Sequence, residues 1–191
     1  WDRNKECLYL IRDRMGVKPL FYYYNGTEIV FASEIKSILL HPSYPKKINA
    51  NALYSYFSFQ AVSSPETAFW DIYALRPGTI LTFTASGKKL TRYFAPSFSP
   101  VSKDSLPTAI EKIRFLLKDA VKLRLDADVE IGTFLSGGLD SGIVTTLASS
   151  LADHPLRSYC LEHESRRPGA FYQKEKDTAN AARTANACHT I

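Results

Sequence analysis

Residues 129–151 read VEIGTFLSGGLDSGIVTTLASSL, an apolar run, a loop with two glycines and an amphipathic stretch. The apolar run 129–135 predicts a buried strand, and the amphipathic stretch predicts a helix because its apolar residues recur at helical spacing. Residues 156–161 predict a second strand and residues 173–187 a second, alanine-rich helix. A further helix is predicted ahead of them, starting near Pro107. This alternation is typical of an α/β parallel sheet, of which we expect only the beginning.

The connection between the first of these strands and its helix has the composition of an anion-binding loop. It leaves the carboxyl end of a strand, the edge at which open α/β sheets bind ligands. Glycines let the backbone approach a ligand closely and turn through positive φ, and unsatisfied N–H groups at a helix start attract negative charge. Two serine hydroxyls add further donors. The candidate anion-binding residues are Ser136, Gly137, Gly138, Leu139, Asp140 and Ser141.

Asp140 bears on the kind of anion that such a loop would bind. A carboxylate beside phosphate oxygens would repel them, whereas a shared Mg²⁺ ion turns the repulsion into bridging. The loop therefore predicts a Mg-nucleotide or pyrophosphate, with Asp140 as the candidate Mg²⁺ ligand. The alternative is an ordinary turn, in which the glycines reverse the chain and Asp140 or Ser141 caps the helix. The loop has no Gly-Lys-Ser/Thr sequence, so it is not of the Walker type.

The residues that precede this α/β pattern have a different character. Nineteen aromatic residues lie within residues 1–98 and only five follow. The segment 96–102 between the two regions is rich in proline and serine, as linkers are. We therefore predict a boundary near residues 95–105 and two domains, residues 1–98 and 99–191.

The first region predicts mainly strands. Residues Cys7–Ile11 are apolar at every position, which predicts a strand covered on both faces, with the Cys7 thiol in the core. Asn25-Gly26 lies between two apolar runs and predicts a hairpin with a two-residue turn. Ser33 is the candidate N-cap of a short helix that follows.

The rest of the first region contains turns and a second helix. Residues 12–20 read RDRMGVKPL, in which Gly16 and Pro19 predict a turn between strands, a structural role rather than a catalytic one. A helix is predicted to begin near Asn49 or Asn51. Residues 79–84 and 89–94 predict a closing hairpin.

Composition and charge exclude several classes of protein. With 45% hydrophobic and 23% charged residues, the 191-residue chain is not disordered. Lys and Arg outnumber Asp and Glu by 24 to 19, but these charges form no basic stripe, so we predict no nucleic-acid partner. No apolar run is long enough for a membrane span, and no signal segment is evident. The three cysteines form no CxxC pair, which predicts reduced thiols and a cytoplasmic location.

The motif SGGLDS at 136–141 resembles the PP-loop of the ATP pyrophosphatase family, in which ATP is cleaved between its α- and β-phosphates. The stretches RDRMGVKPL (12–20) and FASEIKSIL (31–39) resemble the end of the glutaminase domain of class II amidotransferases. FWDI (69–72) and LRPG (75–78) resemble the segment that closes this domain in glutamine-hydrolysing asparagine synthetases. A class II glutaminase followed directly by SGGLDS is the arrangement of that family.

The resemblance implies a fold and a reaction. The fold is α+β, the C-terminal part of a layered N-terminal-nucleophile glutaminase sandwich, followed by the start of an α/β parallel-sheet, Rossmann-like nucleotide-binding domain. The reaction is the ATP-dependent conversion of aspartate to asparagine with ammonia from glutamine, through β-aspartyl-AMP, with ATP and Mg²⁺ as cofactors. By resemblance, residues 136–141 bind the pyrophosphate of ATP, while Phe134 and Leu161 contact its adenosine.

The resemblance also implies which functional residues the chain lacks. In that family the glutaminase nucleophile is an N-terminal cysteine whose own amine acts as the base. Trp1 stands at the start of this sequence and Cys7 lies in an apolar run, so we assign no catalytic residue and expect the nucleophile to lie outside the chain. We expect an internal piece of a longer enzyme that is inactive alone, with a homodimer as a further expectation for the full-length enzyme.

Two other interpretations stay open. The chain could belong to another PP-loop adenylating enzyme, similar to β-lactam synthetases or tRNA-modifying enzymes. Such an enzyme has the same loop but adenylates an acceptor other than aspartate. A catalytically silent binding module would keep the fold and lose affinity for Mg-ATP. An intact loop instead predicts an affinity that Asp140→Ala weakens.

Overall fold

The computed structural model describes residues 1–99, 101–161 and 172–191, and only the backbone of residues 172–176. The chain forms two compact units, Trp1–Pro100 and Val101–Ile191. No described helix is long and apolar enough to cross a membrane. The elements of the first unit are β1 (Leu8–Ile11), β2 (Phe21–Tyr24), β3 (Ile29–Ala32), α1 (Ile35–Leu39), α2 (Ala50–Phe59), β4 (Ile72–Ala74), β5 (Thr79–Thr84) and β6 (Gly87–Arg92).

The first unit is layered. Its strands form two antiparallel sheets, with the orders β1-β5-β6 and β3-β2-β4. One core joins the two sheets and contains Leu10, Leu81 and Tyr22. Side chains alternate along a strand, so the next residue, Tyr23, points to the other face of its sheet. There it packs with Ile38 of α1 in a second core.

Strand β1 corrects one prediction and confirms another. Leu10 is buried, but Tyr9 and Ile11 are 39% and 57% exposed, so the prediction that both faces of this strand are covered is wrong. A continuous apolar run does not by itself distinguish a doubly covered strand from a singly covered one. Cys7 is buried, as predicted, and lies just ahead of β1 in a bridge with Asp2.

The hairpin of β2 and β3 forms as predicted, but its loop is longer. Tyr24 pairs with Ile29, which leaves four residues in the loop instead of two. The side chain of Asn25 explains the extra length, because its Oδ1 accepts the N–H groups of Thr27 and Glu28, both at 3.0 Å. This side-chain closure replaces the tight turn expected of Asn-Gly.

The helix starts include one wrong N-cap prediction and one confirmed helix start. Ser33 is not a cap, since α1 begins after Glu34, whose side chain makes no capping bond. Asn49 caps α2, and its side chain accepts the N–H of Ala52 at 3.2 Å. The closing hairpin forms from β5 and β6, but β6 covers Gly87–Arg92, two residues earlier than the predicted 89–94.

The second unit contains α3 (Leu106–Leu125), β7 (Gly132–Phe134), α4 (Leu139–Leu151), β8 (Arg157–Tyr159) and α5 (Tyr172–Cys188). Strands β7 and β8 are parallel, with Phe134 opposite Tyr159. The core is small and contains Val121, Ala148 and Leu156. The predicted strands 129–135 and 156–161 are too long, because the backbone pairing of β7 with β8 begins only at Gly132 and ends at Phe134.

The edge of β8 that faces away from β7 is also hydrogen bonded. The N–H of Ile191 donates to the carbonyl of Leu156, and the N–H of Ser158 donates to the carbonyl of Ile191, both at 2.8 Å. This is the bonding pattern of a parallel neighbour. The last residue after α5 therefore lies beside β8.

Candidate functional site

The loop 135–138 lies at a strand-to-helix junction, where the sequence predicted it. It starts at the end of β7, and α4 begins with Leu139. Leu135 anchors the loop, since its side chain is only 2% exposed and its N–H donates to the carbonyl of Tyr159 at 2.8 Å. The residues that follow lie at the carboxyl end of the parallel pair, the edge at which such sheets bind ligands.

Position 137 requires a glycine, both because of its backbone conformation and because there is no room for a side chain. Its φ of +78° is in the left-handed region, and a Cβ at this position would lie 1.9 Å from the backbone oxygen of Asp177 in α5. Gly138 was predicted to share this freedom, but its φ is −82°, which any residue can adopt. The expectation of positive φ is therefore correct for Gly137 and wrong for Gly138.

Five consecutive backbone N–H groups, those of residues 137–141, point to no acceptor among the described residues. Gly138 is the N-cap of α4, and no side chain of the described residues caps this end. The N–H of Gly142 donates to the carbonyl of Gly138 at 3.1 Å and makes the first helical hydrogen bond of α4. Unpaired N–H groups and the helix dipole together make such an end attractive to an anion.

The two serine hydroxyls bond to each other, which the sequence did not predict. Their oxygens lie 3.0 Å apart, and Ser141 Oγ also accepts the N–H of Ser136 at 3.2 Å. Ser141 Oγ further contacts the carbonyl of Gly138 at 3.2 Å. The hydroxyls therefore close the loop on itself, and the N–H of Ser136 is already bonded inside the protein.

Asp140 lies in the first turn of α4 with its side chain exposed. Among the described residues there is no cluster of three or more His, Cys, Asp or Glu that could hold a metal ion. A single carboxylate fits Mg²⁺ only when phosphate oxygens supply other ligands, as they commonly do for this ion. Asp140 could thus share Mg²⁺ with a bound polyphosphate and could not form a metal site alone.

Phe134 and Leu161 are both 82% exposed. The Phe134 ring lies 6.4 Å from that of Tyr159, measured between centroids. Leu161 follows β8 by two residues, so the two candidate adenosine contacts lie near the carboxyl ends of neighbouring strands. Their assignment to adenosine stays a prediction.

The structure adds two residues to the loop environment that sequence reasoning missed. Asp177 approaches Gly137 through its backbone, and Tyr159 lies beside Phe134. Neither contact has a local signal in the sequence, because each joins residues that are far apart along the chain. The sequence indicated the close approach of Asp177 only through the presence of a glycine at position 137.

The turn in RDRMGVKPL is held by its own side chains. The Arg12 guanidinium donates to the carbonyls of Leu75, Gly16 and Lys18 at 2.6, 3.0 and 3.1 Å. The Asp13 carboxylate accepts the N–H groups of nearby residues, and those from Lys18 and Val17 hold the pKa of this carboxyl below its ordinary value. These bonds are those of a structural turn.

Two family models match the chain. One, described as a glutamine amidotransferase domain, matches residues 1–94, and the other, described as asparagine synthase, matches residues 112–191. The chain is 37% identical over 169 residues to asparagine synthetase [glutamine-hydrolyzing] 3 of Bacillus subtilis (strain 168), covering 86% of this chain and 27% of that protein.

Two further relatives agree with these matches. A putative asparagine synthetase [glutamine-hydrolyzing] 2 of Methanocaldococcus jannaschii is 36% identical, over 80% of this chain and 30% of its own length. Asparagine synthetase [glutamine-hydrolyzing] 1 of Bacillus subtilis is 33% identical, over 81% of this chain and 24% of its own length. The chain thus spans between about a quarter and a third of the length of these relatives. It belongs to the family of glutamine-hydrolysing asparagine synthetases.

Proposed function

We propose that this chain contributes the pyrophosphate-binding loop to an ATP-dependent synthesis of asparagine from aspartate, with ammonia derived from glutamine. The observation that carries the proposal is the row of five N–H groups of residues 137–141 at the start of α4, which have no acceptor among the described residues. The family match over residues 112–191 supports the same function.

The proposed reaction has two steps on the synthetase side. An oxygen of the aspartate side-chain carboxylate attacks the α-phosphorus of ATP, and the bond from this phosphorus to the bridging oxygen breaks. The electron pair leaves with pyrophosphate, which gives β-aspartyl-AMP. Ammonia then attacks the activated carbonyl, AMP departs with its oxygen, and asparagine forms after loss of a proton.

The loop residues stabilise the departing pyrophosphate. The N–H groups of residues 137–141 donate to its oxygens and stabilise the negative charge that develops there. These donors are already in place, so they need not reorganise during the reaction. The Ser136–Ser141 bond and the left-handed conformation of Gly137 fix the positions of these donors. Mg²⁺, held by Asp140 and phosphate oxygens, would neutralise part of the same charge.

We extend the proposal to the fold of the second unit. The parallel pair β7 and β8, together with the two bonds that Ile191 makes with β8, supports the start of a Rossmann-like sheet whose next strand lies beside β8. Phe134 and Leu161 then lie where adenosine would contact the strand ends. The substrates are ATP, aspartate and glutamine or ammonia, and we propose a homodimer for the full-length enzyme.

Exchange of labelled pyrophosphate into ATP tests the function on the complete protein. We expect exchange that depends on aspartate and falls at least tenfold in Asp140→Asn. The matched control is Asp153→Asn, which removes a carboxylate from the exposed turn after α4 and should leave exchange unchanged.

The other outcomes identify the rival functions. Exchange supported by a different acid, and not by aspartate, would show an adenylating enzyme with another acceptor. Absence of both exchange and Mg-ATP binding in a folded protein would show a silent module and contradict the proposal. Specific binding of tRNA would favour a tRNA-modifying relative.

A further inference from the structure

A groove of about 800 Å³ opens in the first unit between the segments around β4 and the inner face of β6. Its floor is formed by buried side chains, and its rim carries apolar and basic ones. We call it the arginine groove and define it by Arg14, Tyr22, Arg76, Leu90, Arg92 and Phe94. All of its lining residues belong to the first unit, so the groove is not part of the loop described above.

The groove presents three arginines and no carboxylate among its lining residues. No described Asp or Glu forms an ion pair with any of the three. Toward the part of the chain that the structure describes, Arg92 donates its Nε–H alone, to the carbonyl of Phe94 at 3.2 Å, and Arg14 lies 5.5 Å from the centre of the Phe94 ring. The structure gives Arg76 no partner within the described residues. Arg12 differs, because all of its bonds go to backbone carbonyls of the turn.

A buried tyrosine lines the groove. Tyr22 is 5% exposed, and within the described part of the chain its hydroxyl has no hydrogen-bond partner. No fully enclosed polar side-chain atom among the described residues lacks a partner, so this hydroxyl is not fully enclosed, and the Tyr22 side chain lines the groove. Burial raises the pKa of Tyr22, with smaller effects from Tyr73 and Glu66, and the hydroxyl therefore stays protonated near neutral pH.

The walls of the groove are held rigidly by the fold. The hydroxyl of Tyr93 donates to the carbonyl of Arg12 at 2.8 Å, and the N–H groups of Tyr93 and Phe94 both donate to the carbonyl of Gly78. A Cβ on Gly78 would lie 2.5 Å from the oxygen of Phe94, so the two segments approach as closely as a glycine allows. A preformed groove loses little conformational entropy when a ligand binds.

We propose that the arginine groove binds an organic anion with an apolar body. Arg76 and Arg92 hold its carboxylate or phosphate, since guanidinium groups bind both in a bidentate manner. The body of the ligand lies against Met15, Leu90 and Phe94, which supply the apolar lining. The proposal goes beyond asparagine synthesis, because none of these residues takes part in the reaction proposed above.

Binding of a charged probe and its neutral counterpart tests the proposal on the complete protein. The probes are 2-naphthoate, 2-naphthyl phosphate and the neutral 2-naphthylmethanol, titrated by calorimetry. We expect at least one anion to bind at least tenfold more tightly than the alcohol, and the tighter anion identifies the preferred charged group.

Variants locate the binding site. Arg76→Gln should weaken anion binding about tenfold, and it breaks no described contact, so its folding is not at risk. Tyr22→Phe should weaken binding severalfold while it keeps the packing of the ring. Arg3→Gln removes a charge from the exposed turn before β1 and should change nothing. Equal binding of acid and alcohol, or unchanged anion binding in Arg76→Gln, would overturn the proposal.

Discussion

The two units use their polar groups in opposite ways. In the first unit, the turn of residues 12–18 bonds internally, with three carbonyls on the Arg12 guanidinium and backbone N–H groups on the Asp13 carboxylate. In the second unit, the loop before α4 and the first turn of α4 leave the N–H groups of residues 137–141 without a partner in the described structure. The polar groups of the first turn are thus hydrogen bonded within the protein, while the N–H groups of residues 137–141 are available to a ligand.

Gly137→Ala is expected to have the largest effect, in the second unit. The left-handed conformation and the clash with the Asp177 backbone together should lower the free energy of unfolding by about 4 kcal/mol. Both tryptophans, Trp1 and Trp70, belong to the first unit, whereas the long helices belong to the second. Thermal unfolding followed by circular dichroism at 222 nm should therefore shift, and tryptophan fluorescence should not.

Gly142→Ala is the matched control. Its added Cβ would meet only Thr184 Cγ2, at an ordinary 3.9 Å. Alanine is favoured over glycine in a helix by about 0.5–1 kcal/mol, so this change should leave α4 unchanged or slightly stabilised. Equal destabilisation by both substitutions would contradict the special role of Gly137.

Arg12→Met is expected to have the next largest effect, in the first unit. Methionine keeps the apolar stem and removes the donors to three carbonyls, which should cost about 2 kcal/mol of stability. Tryptophan fluorescence during denaturant unfolding measures this loss. The circular dichroism transition of the second unit is the internal reference, and a shift confined to that transition would contradict the assignment.

The contrast between the units was only partly predictable from sequence. The strand-to-helix position of residues 136–141 followed from hydrophobic periodicity, and the start of α2 was predicted near Asn49 or Asn51 without the side-chain cap that selects Asn49. The closure of the loop by Ser136 and Ser141 did not, because two hydroxyls can bond a ligand or each other with equal ease. The contact of Gly137 with Asp177 depends on how α5 packs, and local sequence carries no such information.

The same limit explains the errors in the first unit. An apolar run such as Leu8–Ile11 forms a strand whether one or both of its faces are covered, and only the neighbouring layers decide between these cases. The length of the loop after Tyr24 depended on the bonds of a single Asn25 side chain. Element types were therefore predictable, whereas burial and loop closure required the tertiary structure.

Acid unfolding should separate two carboxylates, one in each unit. Hydrogen bonds from Lys18 and Val17 lower the pKa of Asp13, and the hydrogen bond from Lys112 lowers that of Asp104. A lowered pKa stabilises the folded state above the unfolded pKa, and this stability is lost as the pH falls through the folded pKa. Asp13→Asn and Asp104→Asn should each flatten the loss of stability below about pH 4 in their own unit.

Salt distinguishes the two cases. Lys112 and Asp104 form an exposed ion pair at 2.7 Å, which salt screens, whereas Asp13 is bonded to uncharged backbone groups. We expect 1 M NaCl to reduce the effect of Asp104→Asn on the circular dichroism transition. The effect of Asp13→Asn on the fluorescence transition should change much less, and an equal response to salt would contradict this difference.

Lys88→Met is expected to have the smallest effect and tests whether a surface charge also serves the fold of the first unit. The Lys88 ammonium lies 5.7, 4.9 and 5.9 Å from the ring centres of Tyr22, Tyr24 and Tyr73. Cation–π contacts of this kind at exposed sites stabilise by about 0.5–1 kcal/mol. The neighbouring Lys89 points to the opposite face of β6, so Lys89→Met removes the same charge without these rings. If the fluorescence midpoint falls in Lys88→Met and not in Lys89→Met, the exposed Lys88 ammonium stabilises the first unit through these rings. If the two variants have equal midpoints, the Lys88 contacts do not stabilise it, and internal bonding of charged side chains is limited to the turn at Arg12.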